Sequence, residues 1–153
     1  MHNSEFVTFF KSELFIPELK SDTKEKVLKE LIQPLIRHNC IKSKGLVLET
    51  LLKRETLGST GIGKGVAIPH CRTLAANEIH IVVGMSEHGI EYSAVDKKNV
   101  HIFFLIIAPP HEKANLYLPL LGKIVEMVRD LKIRRQFMKV KDFESFIHII
   151  QEG

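Results

Sequence analysis

The run VHIFFLII at 100–107 is apolar on both of the faces that a β-strand presents, apart from His101. Successive strand side chains point to opposite sides, so such a run needs apolar cover above and below. It predicts a central strand of a sheet covered on both sides. Segments able to supply the cover lie before and after it. Asp22 is a good N-cap with Glu25 three residues on, and Val27, Leu28, Leu31, Ile32, Leu35 and Ile36 recur at helical spacing. Pro34 falls inside that pattern and predicts a bend that weakens the last turn. Ser43 caps a second expected helix, in which Leu46, Val47, Leu48, Leu51 and Leu52 pack inward and Arg54 reaches the far end.

Short strands are expected at 66–70 and at 79–85, the second half-buried through Ile79, Ile81 and Val83. Helical spacing returns at 116–128, and shorter helices are expected at 133–138 and 142–150, the last with Phe143, Phe146, Ile147 and Ile150 on one face. The stretch 108–115 is the main irregular connection. Helices before, between and after strands predict an α/β fold with helices on both sides of a sheet, the strand order left open.

At 153 residues and 44% hydrophobic content, the chain fits one domain spanning 1–153 with a substantial core. Cys40 and Cys71 stand in no paired metal spacing and favour a reducing compartment, so the expected location is the cytoplasm. The opening MHNSEFVTFFKSE is interrupted by charge too soon for a signal peptide, and no apolar run is long enough to span a bilayer, so no direct membrane insertion is expected. The formal charge of +4 comes from 22 basic and 18 acidic residues that are largely interspersed. Lys132, Arg134, Arg135, Lys139 and Lys141 form a local basic cluster, but with no Trp and two Tyr the chain lacks the stacking groups of a nucleic-acid surface. A solvated helix face is expected there, and no nucleic-acid partner.

The segment GSTGIGKGVAIPH at 58–70 carries the chemistry. Its glycines permit main-chain N–H groups to converge on an anion, and Pro69 holds the approach to His70 extended. Gly58, Gly63 and Lys64 meet most of the phosphate-loop pattern G-x-x-x-x-G-K-S/T, but Gly65 stands where the magnesium-binding hydroxyl belongs, and strand rather than helix follows. The dinucleotide fingerprint fails at Val66. A histidine closing a buried strand is often structural, and the residues alone leave both a chemical and a structural role open to His70.

Taken from Arg54, RETLGSTGIGKGVAIPHCRT resembles the active-site signature of the enzyme IIA domains of the bacterial phosphoenolpyruvate-dependent phosphotransferase system, in the fructose/mannitol class that includes the nitrogen-related regulators. GIEYSAVDKKNVHIFFLIIAPP, from Gly89 to Pro110, is similar to that family's second block, and Leu118, Leu120 and Leu121 to its following helix. The resemblance implies a three-layer α/β/α sandwich around a central mixed sheet. It implies that His70 is phosphorylated by the phosphocarrier protein HPr, with Arg54 stabilising the phosphoryl group. The glycine loop, through Thr60, Gly61 and Gly63, is the expected phosphate cradle, though the hydroxyls of Ser59 and Thr60 serve equally well to stabilise the turn.

Many members carry a second histidine near the first, where Tyr117 stands here. Tyrosine donates a hydrogen bond but does not become a cation at neutral pH. His111 lies six residues earlier, in the connection, where an exposed position is expected. The remaining histidines show no metal spacing, so neither metal nor cofactor is expected. The resemblance implies phosphoryl relay to a IIB partner in sugar uptake or, alternatively, a nitrogen-related regulator whose phosphorylation state controls binding to a target protein.

Overall fold

A computed structural model of the chain describes residues 1–152. Six α-helices and six strands follow one another among the described residues, with a single 3₁₀ turn at Ser12–Leu14: α1 Asn3–Val7, β1 Phe15–Ile16, α2 Lys24–Arg37, α3 Lys44–Thr56, β2 Gly61–Gly63, β3 Val66–Ala67, β4 His70–Arg72, β5 His80–Ile90, β6 Val100–Ala108, α4 Tyr117–Arg129, α5 Leu131–Phe137 and α6 Phe143–Glu152. They form one mixed, open sheet ordered β1-β5-β6-β3-β2, with β4 also paired to β6. β5 and β6 are antiparallel, whereas β1 runs parallel to β5, and β3 and β4 run parallel to β6. The 100–107 run is thus central, as its two apolar faces require.

Alternation along β6 divides the core into the two halves of an α/β/α sandwich. Phe103, Leu105 and Ile107 face α2 and α3, joining Leu28, Leu31, Leu35, Val47 and Leu51. Ile102, Phe104 and Ile106 face the other way, joining Phe6 of α1, Leu120 and Ile124 of α4, and Phe146 and Ile150 of α6. All of these residues are almost wholly buried. Phe104, Phe137 and Phe146 pack ring against ring, with Phe137 and Phe146 stacked at 5.1 Å.

Several local expectations are corrected. α2 is capped by Thr23, one residue beyond Asp22, whose side chain accepts from the Lys26 amide. Pro34 lies inside α2 as read, and the last turn is closed at Arg37 by the His38 amide donating to the Pro34 carbonyl at 3.0 Å. Ser43 caps α3 as read, but Leu46 points outward. The single strand expected at 66–70 is two, because Pro69 has no N–H to give to a ladder. β5 is longer than the expected 79–85 and is buried on both faces from residue 80 to 86, since Val82 packs into the α2/α3 half of the core and Ile81, Val83 and Met85 into the other. α1 and β1 are too short to leave a periodic signal.

Candidate functional site

His70 opens β4, opposite Ile106 of the central strand. Its Nδ1 lies 2.7 Å from the carbonyl oxygen of Ile68. A carbonyl oxygen only accepts, so Nδ1 carries the hydrogen and a neutral ring keeps its free lone pair on Nε2. Pro69, between the two residues, fixes the short path that brings this carbonyl back to the ring. Cys71 faces the α2/α3 half of the core, so strand alternation puts His70 and Arg72 together on the opposite face.

These residues line an open cavity of about 610 Å³ with Thr50, Lys53, Arg54, Thr56 and Leu57 from the end of α3, and with Cys71 and Tyr117. Lys53, Arg54 and Arg72 are its charged members, and among the described residues no carboxylate lines it. Such a surface attracts an anion. One guanidinium N–H of Arg54 donates to the Gly58 carbonyl at 3.1 Å, which ties its side chain to the turn after α3. Tyr117, the first residue of α4, is buried, its ring 6.3 Å from that of His70. The Glu112 carboxylate accepts from the amides of Leu116 and Tyr117 at 2.9 and 3.2 Å and so fixes that helix start.

Burial is the main cause that lowers the His70 pKa from the ordinary 6.5; Arg54 acts in the same direction, while the Ile68 carbonyl and Glu55 oppose it. The ring is therefore neutral and nucleophilic at neutral pH. With a depressed folded-state pKa, the unfolded chain takes up a proton first as the pH falls. The contribution to stability is full above pH 6.5 and is lost as the pH drops through the folded value. The nucleophilicity of the ring nitrogen should follow the same window, flat above 6.5 and declining only below it. A ring titration by NMR checks this, and a midpoint above 6.5 would contradict it.

The glycine loop does not join this cavity. Gly61 and Gly63 belong to β2, which pairs with β3, and neither they nor Thr60 line the space around His70. Thr60 is buried; its amide donates to Glu55 Oε1 at 3.1 Å and its hydroxyl to Glu55 Oε2. The Gly61 amide donates to Ser59 Oγ at 3.0 Å, and the Lys64 amide to Asp96 at 2.9 Å. In this structure the Thr60, Gly61 and Lys64 donors serve the turn. Gly61 is needed for close approach: a Cβ there would lie 2.8 Å from the Ala94 Cα. Gly61→Ala should therefore cost about 1–3 kcal/mol, read as a lowered urea midpoint.

His111 is exposed and outside the cavity lining. Burial pushes the Cys71 thiol up to about 12, which removes it as a nucleophile. Arg72, Lys53 and Thr56 were not singled out from the sequence, although the alternation His70-Cys71-Arg72 carried the signal for Arg72. Among the described residues, no group of three or more His, Cys, Asp or Glu side chains is placed to hold a metal, and no helix is long and apolar enough to cross a membrane.

An open α/β/α sheet presenting a neutral imidazole beside cations defines a protein suited to accepting an anionic group on nitrogen. Residues 8–153 match the family model described as phosphoenolpyruvate-dependent sugar phosphotransferase system, EIIA 2, and the chain belongs to that family. It is 30% identical over 134 residues to the fructose-specific EIIABC component of Bacillus subtilis, covering 88% of this chain and 21% of that protein. It is 29% identical to a nitrogen regulatory protein of Bradyrhizobium diazoefficiens, covering 90% of this chain and 89% of the relative. Among solved structures it resembles nitrogen regulatory protein IIA-Ntr from Neisseria meningitidis, with a TM-score of 0.87, 26% identity and coverage of 95% and 99% of the two chains.

Proposed function

We propose that the protein is a phosphocarrier of the phosphotransferase system, accepting a phosphoryl group from HPr on His70 Nε2 and passing it to a IIB partner in sugar uptake. The observation that carries this reading is the 2.7 Å contact of His70 Nδ1 with the Ile68 carbonyl, which leaves the Nε2 lone pair free. That lone pair forms the new N–P bond as the bond between phosphorus and the donor's nitrogen breaks, and the donor imidazole keeps the departing electron pair. No proton has to leave His70 first, so no general base is needed. The accepting ring gains positive charge as the bond forms, which strengthens the Nδ1–H bond to the Ile68 carbonyl. Arg54 meets the negative charge on the equatorial phosphoryl oxygens. Onward transfer is the same displacement with His70 as the leaving group.

The fructose-specific relative supports sugar uptake. The nitrogen regulatory relative and the TM-score of 0.87 to IIA-Ntr favour a second reading, in which the added charge of about −1.5 to −2 controls binding to a target protein. The test is intact-protein mass after incubation with phosphoenolpyruvate, enzyme I and HPr. A phosphoryl-sized, acid-labile gain is expected, and its absence with competent HPr would sink both readings. Chasing the phosphorylated protein with IIB then separates them, since loss of the label to IIB is required by relay alone.

A further inference from the structure

We propose that Arg72 is a second phosphoryl-binding cation at His70 and that the ring of Tyr117 holds it in position; this deepens the reading of His70 as acceptor and rests on it. Two residues apart on β4, His70 and Arg72 share the face opposite Cys71. The guanidinium carbon of Arg72 lies 4.4 Å from the centroid of the Tyr117 ring, whose own distance to the His70 ring is 6.3 Å. One aromatic side chain therefore touches the environment of both the nucleophile and the cation.

The guanidinium is held at two points and remains available. Nη1 donates to the Pro110 carbonyl at 3.3 Å, and the planar group rests on the aromatic face. A guanidinium has five N–H donors, so this anchorage leaves others for an anion. Arg72 is solvent-exposed and lines the same cavity as Lys53 and Arg54. Burial pushes the Tyr117 hydroxyl far above the usual phenol range, which keeps the ring neutral beside the site. Tyr117 cannot itself supply a cation, but it positions one. Arg54 approaches from the end of α3 and Arg72 from the sheet, so the two guanidinium groups reach the phosphoryl group from different elements.

The test is the single-turnover rate of transfer from phosphorylated HPr, measured against HPr concentration for wild type and four variants. Arg72→Ala should lower the rate at saturating HPr about tenfold to a hundredfold, because a charge-assisted contact to the transition state is lost. Arg72→Lys should recover part of it, as a point charge that neither stacks nor forks. Tyr117→Leu should fall in the same direction, whereas Tyr117→Phe, which keeps an aromatic face, should stay within about threefold of wild type.

Transfer to Arg72→Ala at the wild-type rate, or a loss confined to the half-saturating HPr concentration, would overturn the phosphoryl contact. A Tyr117→Phe loss as large as that of Tyr117→Leu would overturn the positioning role and assign the effect to the hydroxyl. Failure of the wild type itself to accept from competent HPr would instead overturn the acceptor role of His70, an outcome distinct from either.

Discussion

His70→Ala is expected to gain no phosphoryl group under conditions that convert the wild type completely, with the loss limited only by detection. The reason is that nothing nearby substitutes for Nε2. Cys71 is next in sequence, but it faces the α2/α3 half of the core and burial keeps it a thiol. Tyr117 is the nearest ring, yet its hydroxyl is held neutral by burial. His111 is exposed and stands outside the cavity. His70 is only half-buried and its ring makes one hydrogen bond to backbone, so the substitution should change unfolding free energy by about 1 kcal/mol or less. Intact mass, an acid-lability control and a urea titration on the same preparation separate loss of chemistry from loss of fold. A labelled His70→Ala protein would move the acceptor elsewhere and overturn the reading of the site.

The two-sided run at 100–107 was enough to place the centre of the sheet, because no other position satisfies both of its faces. Helices were legible where period and cap agreed, as at Ser43, and ambiguous where two capping residues adjoin, as at Asp22 and Thr23. β5 was misread as half-buried because Gly84 carries no hydrophobic signal. Its missing side chain is what Leu31 and Leu19 pack against: an added Cβ would lie 2.7 Å from Leu31 Cδ2 and 2.9 Å from Leu19 Cδ1. The glycine loop posed the same problem at the site. Glycine answers equally to an anion and to a close backbone approach, and the partner that decides, Ala94, lies 33 residues away from Gly61 in the chain. Arg72 was readable from alternation alone, whereas its stacking on Tyr117 depends on a long-range contact between β4 and α4.

Removing Glu55 should be the most damaging single change to stability among those considered, and it should weaken the site as well. The carboxylate stands next to Arg54 in the last turn of α3, with its side chain 4% exposed. Oε1 accepts from Lys24 Nζ at 3.1 Å and from the Thr60 amide at 3.1 Å, and Oε2 accepts from the Thr60 hydroxyl. Tyr92 closes the cluster: its hydroxyl is 3.4 Å from Thr60 Oγ1, Lys24 Nζ lies 4.6 Å from its ring centroid, and its ring packs edge-on against Phe103 at 5.3 Å. Glu55 and Tyr92 together thus join α2, α3, the glycine turn and the central strand. Glu55→Ala leaves the Thr60 donors buried without their acceptor and the Lys24 ammonium without its counter-charge, a cost of about 2–4 kcal/mol. Lys24 is 23% exposed and can turn toward water, which keeps the expected cost below that of a fully enclosed ion pair. For a chain of this size each kcal/mol moves Tm by about 2–4 °C, so a fall of roughly 4–16 °C should be seen. Glu55→Gln retains one acceptor and should recover part of it. Because Lys24 and Glu55 are in direct contact, Lys24→Met combined with Glu55→Gln should cost less than the sum of the two single changes. Strict additivity in that cycle would mean that the ion pair contributes nothing to holding α2 and α3 together. Loss of Arg54 placement should accompany the destabilisation, seen as a slower phosphoryl transfer to Glu55→Gln at temperatures where the variant is fully folded.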